Sequence, residues 1–436
     1  MQNSIWTNRV SLPQFPSLTG DVKTDILIIG GGMAGLLCAY QLHQAGVDSL
    51  LIEGNRIAGG VTANTTAKIT SQHGLIYQKI LRQFDPETAL KYYLVNQGAL
   101  EEYSRLAGKI SCDYEIRDNY IYSVDAPDKL EKELEALHQA GISAEFVRDL
   151  PLPISTCGAV CFRDQAQFHP LKFLAGLLEN LCIREQTRAL KIEKGCVVTN
   201  RGKVRAEKII VATHFPILNR RGLYFMKQYQ DRSYVLALEG AQAVKGMYLD
   251  GVGNGFSFRN QGDTLILGGG SHRTGKASTG WEPLSVFAQA HYPAGREVCR
   301  WAAQDCMTLD GIPYIGQYSP HTPWLYVATG FNKWGMTGSM VSAMLLRDQI
   351  LGLENPYAPV FDPDRRILRP QLAVNGWESA VNLLTPTAPR CPHLGCALKW
   401  NPLEHSWDCP CHGSRFSESG KLLEDPALRS IKEDRR

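Results

Sequence analysis

The apolar run Ile26-Leu27-Ile28-Ile29 closes on Gly30-Gly31-Gly32. A short unbroken run bounded by glycines predicts a strand buried on both faces. Leu36, Ala39, Tyr40 and Leu42 then provide the packing positions of a helix, and Val47 to Ile52 predicts a second strand ending at Glu53. Strand, glycine turn, helix and strand in that order predict a parallel βαβ unit. Asp85-Pro86 opens a predicted helix with Tyr92, Ala99, Tyr103 and Leu106 on one face. Cys112 to Val124 alternates like a strand. Leu130, Leu134 and Leu137 mark a short helix closed by Gly141, and Ile142 to Val147 predicts another strand. His169-Pro170 opens a predicted helix striped by Leu171, Leu174, Leu178 and Leu181. Residues 190–213 predict short strands turning at Asn200-Arg201-Gly202, and residues 221–290 further strands with Gly-rich turns. Pro356 to Pro389, rich in Pro and Asn with little periodicity, is expected to be a linker with short strands.

At 436 residues the chain has room for roughly three domains. Its net charge of +3 comes without a basic stripe carrying interleaved aromatics, so no nucleic-acid partner is expected. The basic runs Arg365-Arg366 and Arg435-Arg436 are expected to be solvated. No secretory signal is expected between Met1 and Lys23. The longest apolar stretch, Ile26 to Tyr40, is broken by four glycines, so no membrane span is expected. Eight of the twelve cysteines (Cys38, Cys112, Cys157, Cys161, Cys182, Cys196, Cys299 and Cys306) follow no spacing pattern and are expected to be buried free thiols in a cytoplasmic protein.

Two motifs carry chemistry. In Gly30-x-Gly32-x-x-Gly35, Gly30 allows the tight turn, Gly32 lets the backbone approach a pyrophosphate, and Gly35 lets the helix sit against the strand. The helix start, including Ala34, offers N–H groups to phosphates. Glu53 stands at the distance that suits a ribose hydroxyl. At the other end, Cys391-Pro-His393-Leu-Gly-Cys396 is followed by Cys409-Pro-Cys411-His412-Gly-Ser414. Two thiolates and two imidazoles from two loops fit a [2Fe–2S] centre with Cys on one iron and His on the other. The same set could hold zinc. The even split of Cys and His between loops, and the extra Cys in each, favour the two-iron site.

The C-terminal pattern resembles that of Rieske iron–sulfur proteins. The resemblance implies Cys391 and Cys409 on the inner iron and His393 and His412 on the outer one. It further implies a Cys396–Cys411 disulfide between the loops and a Ser414 hydroxyl bonded to a cluster sulfur. Phe416 stands where high-potential members often have Tyr, and the base domain looks trimmed. The rest of the chain resembles FAD-dependent oxidoreductases of the D-amino-acid oxidase and glycine oxidase superfamily. The segments that carry this resemblance are Arg56 to His73 (with Thr62, Thr66 and Lys68), Lys208 to Pro216 (with Thr213), Asp310 to Gly316, and Trp324 to Thr337 (with Gly330, Gly335 and Met336). It implies that these residues contact FAD and that the late Gly-rich turn meets the flavin ring.

The expected fold class is α/β: a Rossmann-like FAD-binding domain, an antiparallel-sheet substrate domain and a small all-β Rieske cluster-binding subdomain. The expected limits are an N-terminal extension at 1–22 and an oxidoreductase at 23–352. Within it the FAD domain takes about 23–90, 155–220 and 306–352, and the substrate domain about 91–154 and 221–305. A linker at 353–388 and a shortened Rieske unit at 389–436 follow. Lys333, in the ring-facing turn, is the candidate catalytic residue. His73 and His169 are expected to pack or bond backbone, and Tyr224, Tyr229 and Tyr234 to pack in sheets. The expected activity moves electrons between a small amine or amino acid, FAD, the cluster, and a redox partner protein or quinone-like acceptor. The alternatives are a reductase running in reverse and a non-catalytic carrier or redox sensor.

Overall fold

The structure is a computed structural model and describes residues 4–8, 10–218, 221–253, 255–386 and 389–431. The chain opens with β1 (Val22–Ile29), α1 (Met33–Gln44), β2 (Ser49–Ile52) and the short β3 (Lys68–Ile69). Next come α2 (Ile76–Gln83), α3 (Pro86–Ala107), β4 (Glu115–Ser123), α4 (Pro127–Gln139), β5 (Glu145–Val147), β6 (Gly158–Gln167) and α5 (Pro170–Ala175). Then follow β7 (Cys182–Arg184), β8 (Ala189–Glu193), β9 (Cys196–Thr199), β10 (Gly202–Val211), α6 (Tyr224–Lys227) and β11 (Gln228–Glu239). β12 (Met247–Asp250), β13 (Ser257–Gln261), β14 (Thr264–Arg273), α7 (Glu282–His291) and β15 (Arg296–Thr308) complete the middle of the chain. Last come β16 (Tyr314–Gln317), β17 (Leu325–Thr329), α8 (Gly335–Leu351), α9 (Pro370–Leu384), β18 (Lys399–Asn401), β19 (Ser406–Asp408), β20 (Arg415–Ser417) and β21 (Leu422–Glu424).

The strands form three sheets, as the fold class requires. The first runs β16-β17-β10-β1-β2-β7, with β8 and β9 attached beside β10. Its centre is parallel: β1 lies between β10 and β2, and α1 crosses back over it. The second runs β15-β11-β14-β13-β12-β4-β6-β3, with β5 on β6. The third is the antiparallel β18-β19-β20-β21. β3 and β6 fall in the ranges expected for the FAD domain, yet both join the second sheet.

The period-two alternation of a strand decides what each face of β11 meets. Val235 and Ala237, with Trp301 of β15, pack into the core that contains α1 and α8. Tyr234, Leu236 and Leu238 pack instead against Leu284 and Phe287 of α7.

Several expectations are corrected. The helix after His169-Pro170 stops at Ala175, with Gly176 as its C-cap, rather than reaching Leu181, and a Cβ on Gly176 would stand 2.6 Å from Ile110; glycine is a poor helix former. Leu171, Leu174 and Leu178 are buried all the same. Residues 221–290 contain α6 and α7 as well as strands. The expected linker with short strands holds the fifteen-residue α9, which turns Asn375 and Asn382 inward and leaves Val374, Trp377, Val381 and Leu384 exposed. A helix that buries polar residues has no apolar core face to be read from its sequence. Arg365 is buried rather than solvated: its guanidinium binds both oxygens of Asp310, at 2.7 and 2.9 Å, and lies over Tyr314. This pair pins the Asp310 turn and holds its carboxyl below the ordinary range against burial. Cys182 is exposed and Cys157, Cys196 and Cys299 are half-buried, while the other scattered thiols are buried as expected. Arg435-Arg436 lies outside the described residues.

Candidate functional site

The Gly30–Gly35 turn has the shape its sequence predicts. Gly30 has φ +112°, and a Cβ there would stand 2.5 Å from the Ala212 carbonyl oxygen. A Cβ on Gly35 would stand 1.9 Å from the Gly30 oxygen. Gly32 differs, because its nearest neighbour would be Thr62 Oγ1 at 3.4 Å. The space over Gly32 is therefore open, which suits the close approach of a pyrophosphate. Ala34 is buried in the first turn of α1. Thr62 accepts the Met33 N–H at 3.0 Å. Glu53 accepts the N–H groups of Gly31 and Asn55, each at 2.7 Å, and burial raises its carboxyl. Each oxygen keeps a lone pair for a hydroxyl donor. The Arg56 guanidinium binds Glu185 at 2.7 Å and the carbonyls of Leu12 and Pro13.

The stretch from Thr62 to Thr70 joins this turn to the start of α8. Thr70 N–H donates to Thr337 Oγ1 at 3.1 Å, and Thr337 Oγ1 donates back to the Thr70 carbonyl at 2.9 Å. Thr66 contributes its carbonyl to Arg259, and Lys68 reaches Ser257. Thr213 bonds the Phe215 carbonyl, Gly335 opens α8, and the Met336 carbonyl accepts from Tyr103 Oη. Gly330 has φ +73°, and Asn332 and Lys333 are also left-handed at +51° and +74°. Two such non-glycine residues in a row store strain, which Asn332 offsets with bonds to Thr308 N–H and the Gly330 carbonyl.

Lys333 donates to Ser271 and to Ser233 and stands 3.8 Å from Asp231. Asp231 lies directly opposite Asp305 across β11 and β15. Burial pushes the Asp305 carboxyl up to about 6. Like charges placed opposite each other are unfavourable in a sheet. Neither Asp was found by sequence reasoning, because the pairing exists only once the register is known. His73 bonds Tyr92 and the Thr70 carbonyl and stacks on Trp334. His169 caps α5. Tyr224 and Tyr234 are buried among other rings, and Tyr229 lies under Arg273.

The two C-terminal loops repeat one hydrogen-bond pattern. Cys391 N–H donates to the Cys396 carbonyl, and Gly395 N–H to the Cys391 carbonyl, both at 2.9 Å. Cys409 N–H donates to the Ser414 carbonyl, and Gly413 N–H to the Cys409 carbonyl, again at 2.9 Å. Gly395 and Gly413 have φ of +81° and +82°. The loops bring the His393 and His412 rings to 4.9 Å and bury all four thiols. The sulfurs of Cys396, Cys409 and Cys411 lie within 4.8 Å of one another. Hydrogen bonding from Cys391 first, then from Cys396 and Cys411, drives the Cys409 thiol well below its ordinary pKa. The expected Cys396–Cys411 disulfide is not formed, and both are free thiols. His412 Nε2 lies 3.0 Å from the Phe225 carbonyl oxygen. A carbonyl only accepts, so Nε2 carries the proton and Nδ1 is bare. That Nδ1 is buried without a hydrogen-bond partner. A bare buried imidazole nitrogen beside four thiols fits a Cys/His-ligated cluster.

The second of these loops docks on β11, β14 and β15. Gln230 Nε2 donates to the His412 carbonyl at 2.9 Å, and Gln304 Nε2 to the Gly413 carbonyl at 2.8 Å. Arg273 Nε donates to the Pro410 carbonyl at 3.1 Å. Behind them Arg232 binds Glu404, and Arg415 binds Asp408, Glu404 and Glu424, with both arginines nearly inaccessible. Gln230 and Asp231 are neighbours in sequence, so their side chains leave opposite faces of the strand.

Residues 25–349 match the FAD dependent oxidoreductase family. The chain belongs to that family. Residues 377–433 match the Rieske [2Fe-2S] domain, a match that opens inside α9. The oxidoreductase is 36% identical to the "Putative Rieske 2Fe-2S iron-sulfur protein YhfW" of Bacillus subtilis, over 98% of this chain and 96% of that one. A shorter match, 48% identical, covers 10% of this chain and 24% of the "Cytochrome b6-f complex iron-sulfur subunit 3" of Nostoc. In fold it resembles glycine oxidase from Geobacillus kaustophilus, with TM-score 0.65 and 18% identity over 79% of this chain and 99% of that one. It also resembles L-proline dehydrogenase from P. horikoshii, with TM-score 0.66 and 16% identity over 80% and 98% of the two chains. The oxidoreductase thus binds FAD in its larger part and a [2Fe–2S] cluster in its C-terminal domain. Among the described residues no helix is long and apolar enough to cross a membrane.

Proposed function

We propose that the chain oxidises a small amine or amino acid at the FAD and passes the electrons through the Rieske cluster to a redox partner. FAD supplies a hydride acceptor, and the cluster carries single electrons. One observation carries the reading. The second cluster loop hangs from Gln230 and Gln304, on the two strands whose opposite face presents Asp231 and Asp305 to Lys333. A freely moving carrier would have no use for amides committed to its loop carbonyls.

We assign Gly30, Gly32, Ala34, Gly35, Glu53, Arg56, Thr62, Thr66, Lys68, Thr213, Gly330, Gly335 and Met336 to the FAD cradle. Cys391 and Cys409 hold one iron, and His393 and His412 the other. Ser414 accepts the Ala427 N–H and bonds the Cys391 sulfur, as a residue stabilising the cluster should. Lys333, Asp231 and Asp305 orient the substrate, and Lys333 balances their charge. The partner is a protein or a quinone-like acceptor, and the many free thiols support a cytoplasmic setting.

Anaerobic titration with a panel of amines and amino acids tests this function. A substrate should bleach the flavin band and then bring up the electron paramagnetic resonance signal of a reduced Cys/His-ligated cluster. If no compound bleaches the flavin, while chemical reduction of the cluster reduces FAD, the direction of flow is reversed.

A further inference from the structure

The histidine side of the cluster site is closed by the oxidoreductase. His412 is 2% exposed, and Phe215, which meets its ring edge-on at 5.8 Å between centroids, is 1% exposed. The same Phe215 ring meets His393 edge-on at 6.4 Å. One side chain from the larger unit thus packs on both residues assigned to the outer iron. Phe225, on α6, adds a second ring edge to His412 at 6.2 Å, and its carbonyl accepts the His412 Nε2 proton at 3.0 Å. A histidine ligand held at its far nitrogen by a backbone carbonyl is fixed in ring angle and in tautomer. Neither phenylalanine belongs to the C-terminal domain.

Phe215 is also tied to the other cofactor site. β10 ends at Val211, and the Ala212 carbonyl that follows lies over Gly30 of the nucleotide turn. Thr213 Oγ1 donates to the Phe215 carbonyl at 2.9 Å, across His214, which is left-handed at φ +63°. The His214 carbonyl accepts from Thr329 Oγ1, and Thr329 immediately precedes Gly330 in the turn assigned to the flavin ring. The His214 ring makes a second link: its Nε2 lies 3.2 Å from Gln230 Oε1, while Gln230 Nε2 donates to the His412 carbonyl. Thr213 to Phe215 therefore meets the FAD cradle at one end and the cluster histidines at the other.

We propose that Phe215 is the point at which electrons cross between the FAD unit and the cluster, through the histidine-ligated iron. Tunnelling falls steeply across an open gap and is favoured through packed or bonded atoms. Thr329, His214, Phe215 and His412 form an unbroken run of such contacts. The claim rests on the reading that electrons move between the two cofactors, and it names the residue at their crossing. In the direction of substrate oxidation the reduced flavin releases its protons to solvent and its electron pair one at a time. Each electron converts one ferric ion of the cluster to ferrous, and a one-electron acceptor outside the chain reoxidises it before the next crosses. Phe215 is neither oxidised nor reduced, because its packed ring only shortens the gap.

The test uses full-length protein holding both cofactors and no substrate. A laser flash reduces the flavin in the presence of a sacrificial amine donor, and absorbance follows flavin reoxidation and cluster reduction. Phe215→Leu fills the space but removes the ring edges. It should keep stoichiometric FAD and iron and slow the crossing severalfold, and Phe215→Met, a second apolar filler, should match it. Phe215→Tyr keeps the ring and should recover most of the wild-type rate. Electron paramagnetic resonance of the chemically reduced cluster reads the contact without any crossing. Its g values should shift in Phe215→Leu and return in Phe215→Tyr. A wild-type crossing rate in Phe215→Leu and Phe215→Met would overturn the proposal alone, as would g values that do not move. Absence of any crossing in the wild type would sink the reading of electron flow between the cofactors, and this proposal with it.

Discussion

Strands β11 and β15 present two faces of opposite character. One face sets Asp231 against Asp305 with Lys333 nearby, and Lys333 and Asp231 keep side-chain exposures of 32% and 19%. The other sets Gln230 and Gln304, both buried, against backbone carbonyls of the cluster loop. A face that exchanges a solute can keep charges that water or ligand will satisfy. A permanent contact is better made with neutral amides, which leave no charge to desolvate. Alternation along one strand thus separates a site that opens from a site that stays shut.

The largest effects should come from removing either cofactor while sparing the other. His412→Ala should abolish the cluster's iron, sulfide and magnetic signal yet leave stoichiometric FAD. Gly32→Val should do the reverse, since its Cβ meets protein only at 3.4 Å and the chain can still fold. Metal analysis and the visible spectrum decide both, and joint loss in either variant would mean that the two sites are not separable. Next, Arg232→Met strips Glu404 of one of its two buried partners and should cost about 3–5 kcal/mol, read by chemical denaturation. Gln230→Leu with Gln304→Leu leaves two loop carbonyls unpaired at about 1–3 kcal/mol each. In that variant flavin bleaching should keep its rate while cluster reduction slows. Unchanged cluster reduction in stopped flow would show that the shut face plays no part in electron delivery.

Smaller shifts sharpen the picture. Ser414→Ala removes a hydrogen bond to the Cys391 sulfur and should lower the cluster potential by about 60–130 mV, from roughly 1.5–3 kcal/mol at 59 mV per 1.4 kcal/mol. Voltammetry showing no fall would place the hydroxyl away from the cluster. The smallest effect concerns pH. Lys68 titrates near 7 when folded and near 10.5 when unfolded, so the unfolded chain binds more protons between these values. Stability should therefore rise as pH goes from 7 to 10.5, and Lys68→Met should flatten that rise. Melting curves at pH 7 and pH 9 with the same slope in both proteins would count against the buried charge.

What the sequence made legible were features fixed by local chemistry. The Gly30–Gly35 turn needs glycine wherever backbone meets backbone, and the cluster loops need their ligand types within a few residues. The Asp85 cap likewise donates no surprise, since Asp85 accepts the Thr88 N–H at 2.7 Å one turn into α3. What was hidden depended on partners far along the chain. Arg365 looked solvated because Asp310 is distant in sequence. Asp231 and Asp305 acquire meaning only through strand register. Helix α9 was hidden because its inward face is polar, so the usual apolar stripe marks its outside. The disulfide was inherited from a family resemblance, and no rule of spacing could have settled its redox state.

The ion pairs around Arg232 have a further consequence for how the molecule comes apart. Arg232 belongs to the oxidoreductase sheet, while Arg415 and Glu424 lie on strands of the C-terminal one and Glu404 in the turn between β18 and β19. Cutting the chain before the C-terminal domain would leave a bare arginine and two amide-bearing glutamines facing water where loop backbone now covers them. The two units should therefore melt as one cooperative block in calorimetry. A protease would then find no clean seam between them, even though two family patterns meet there.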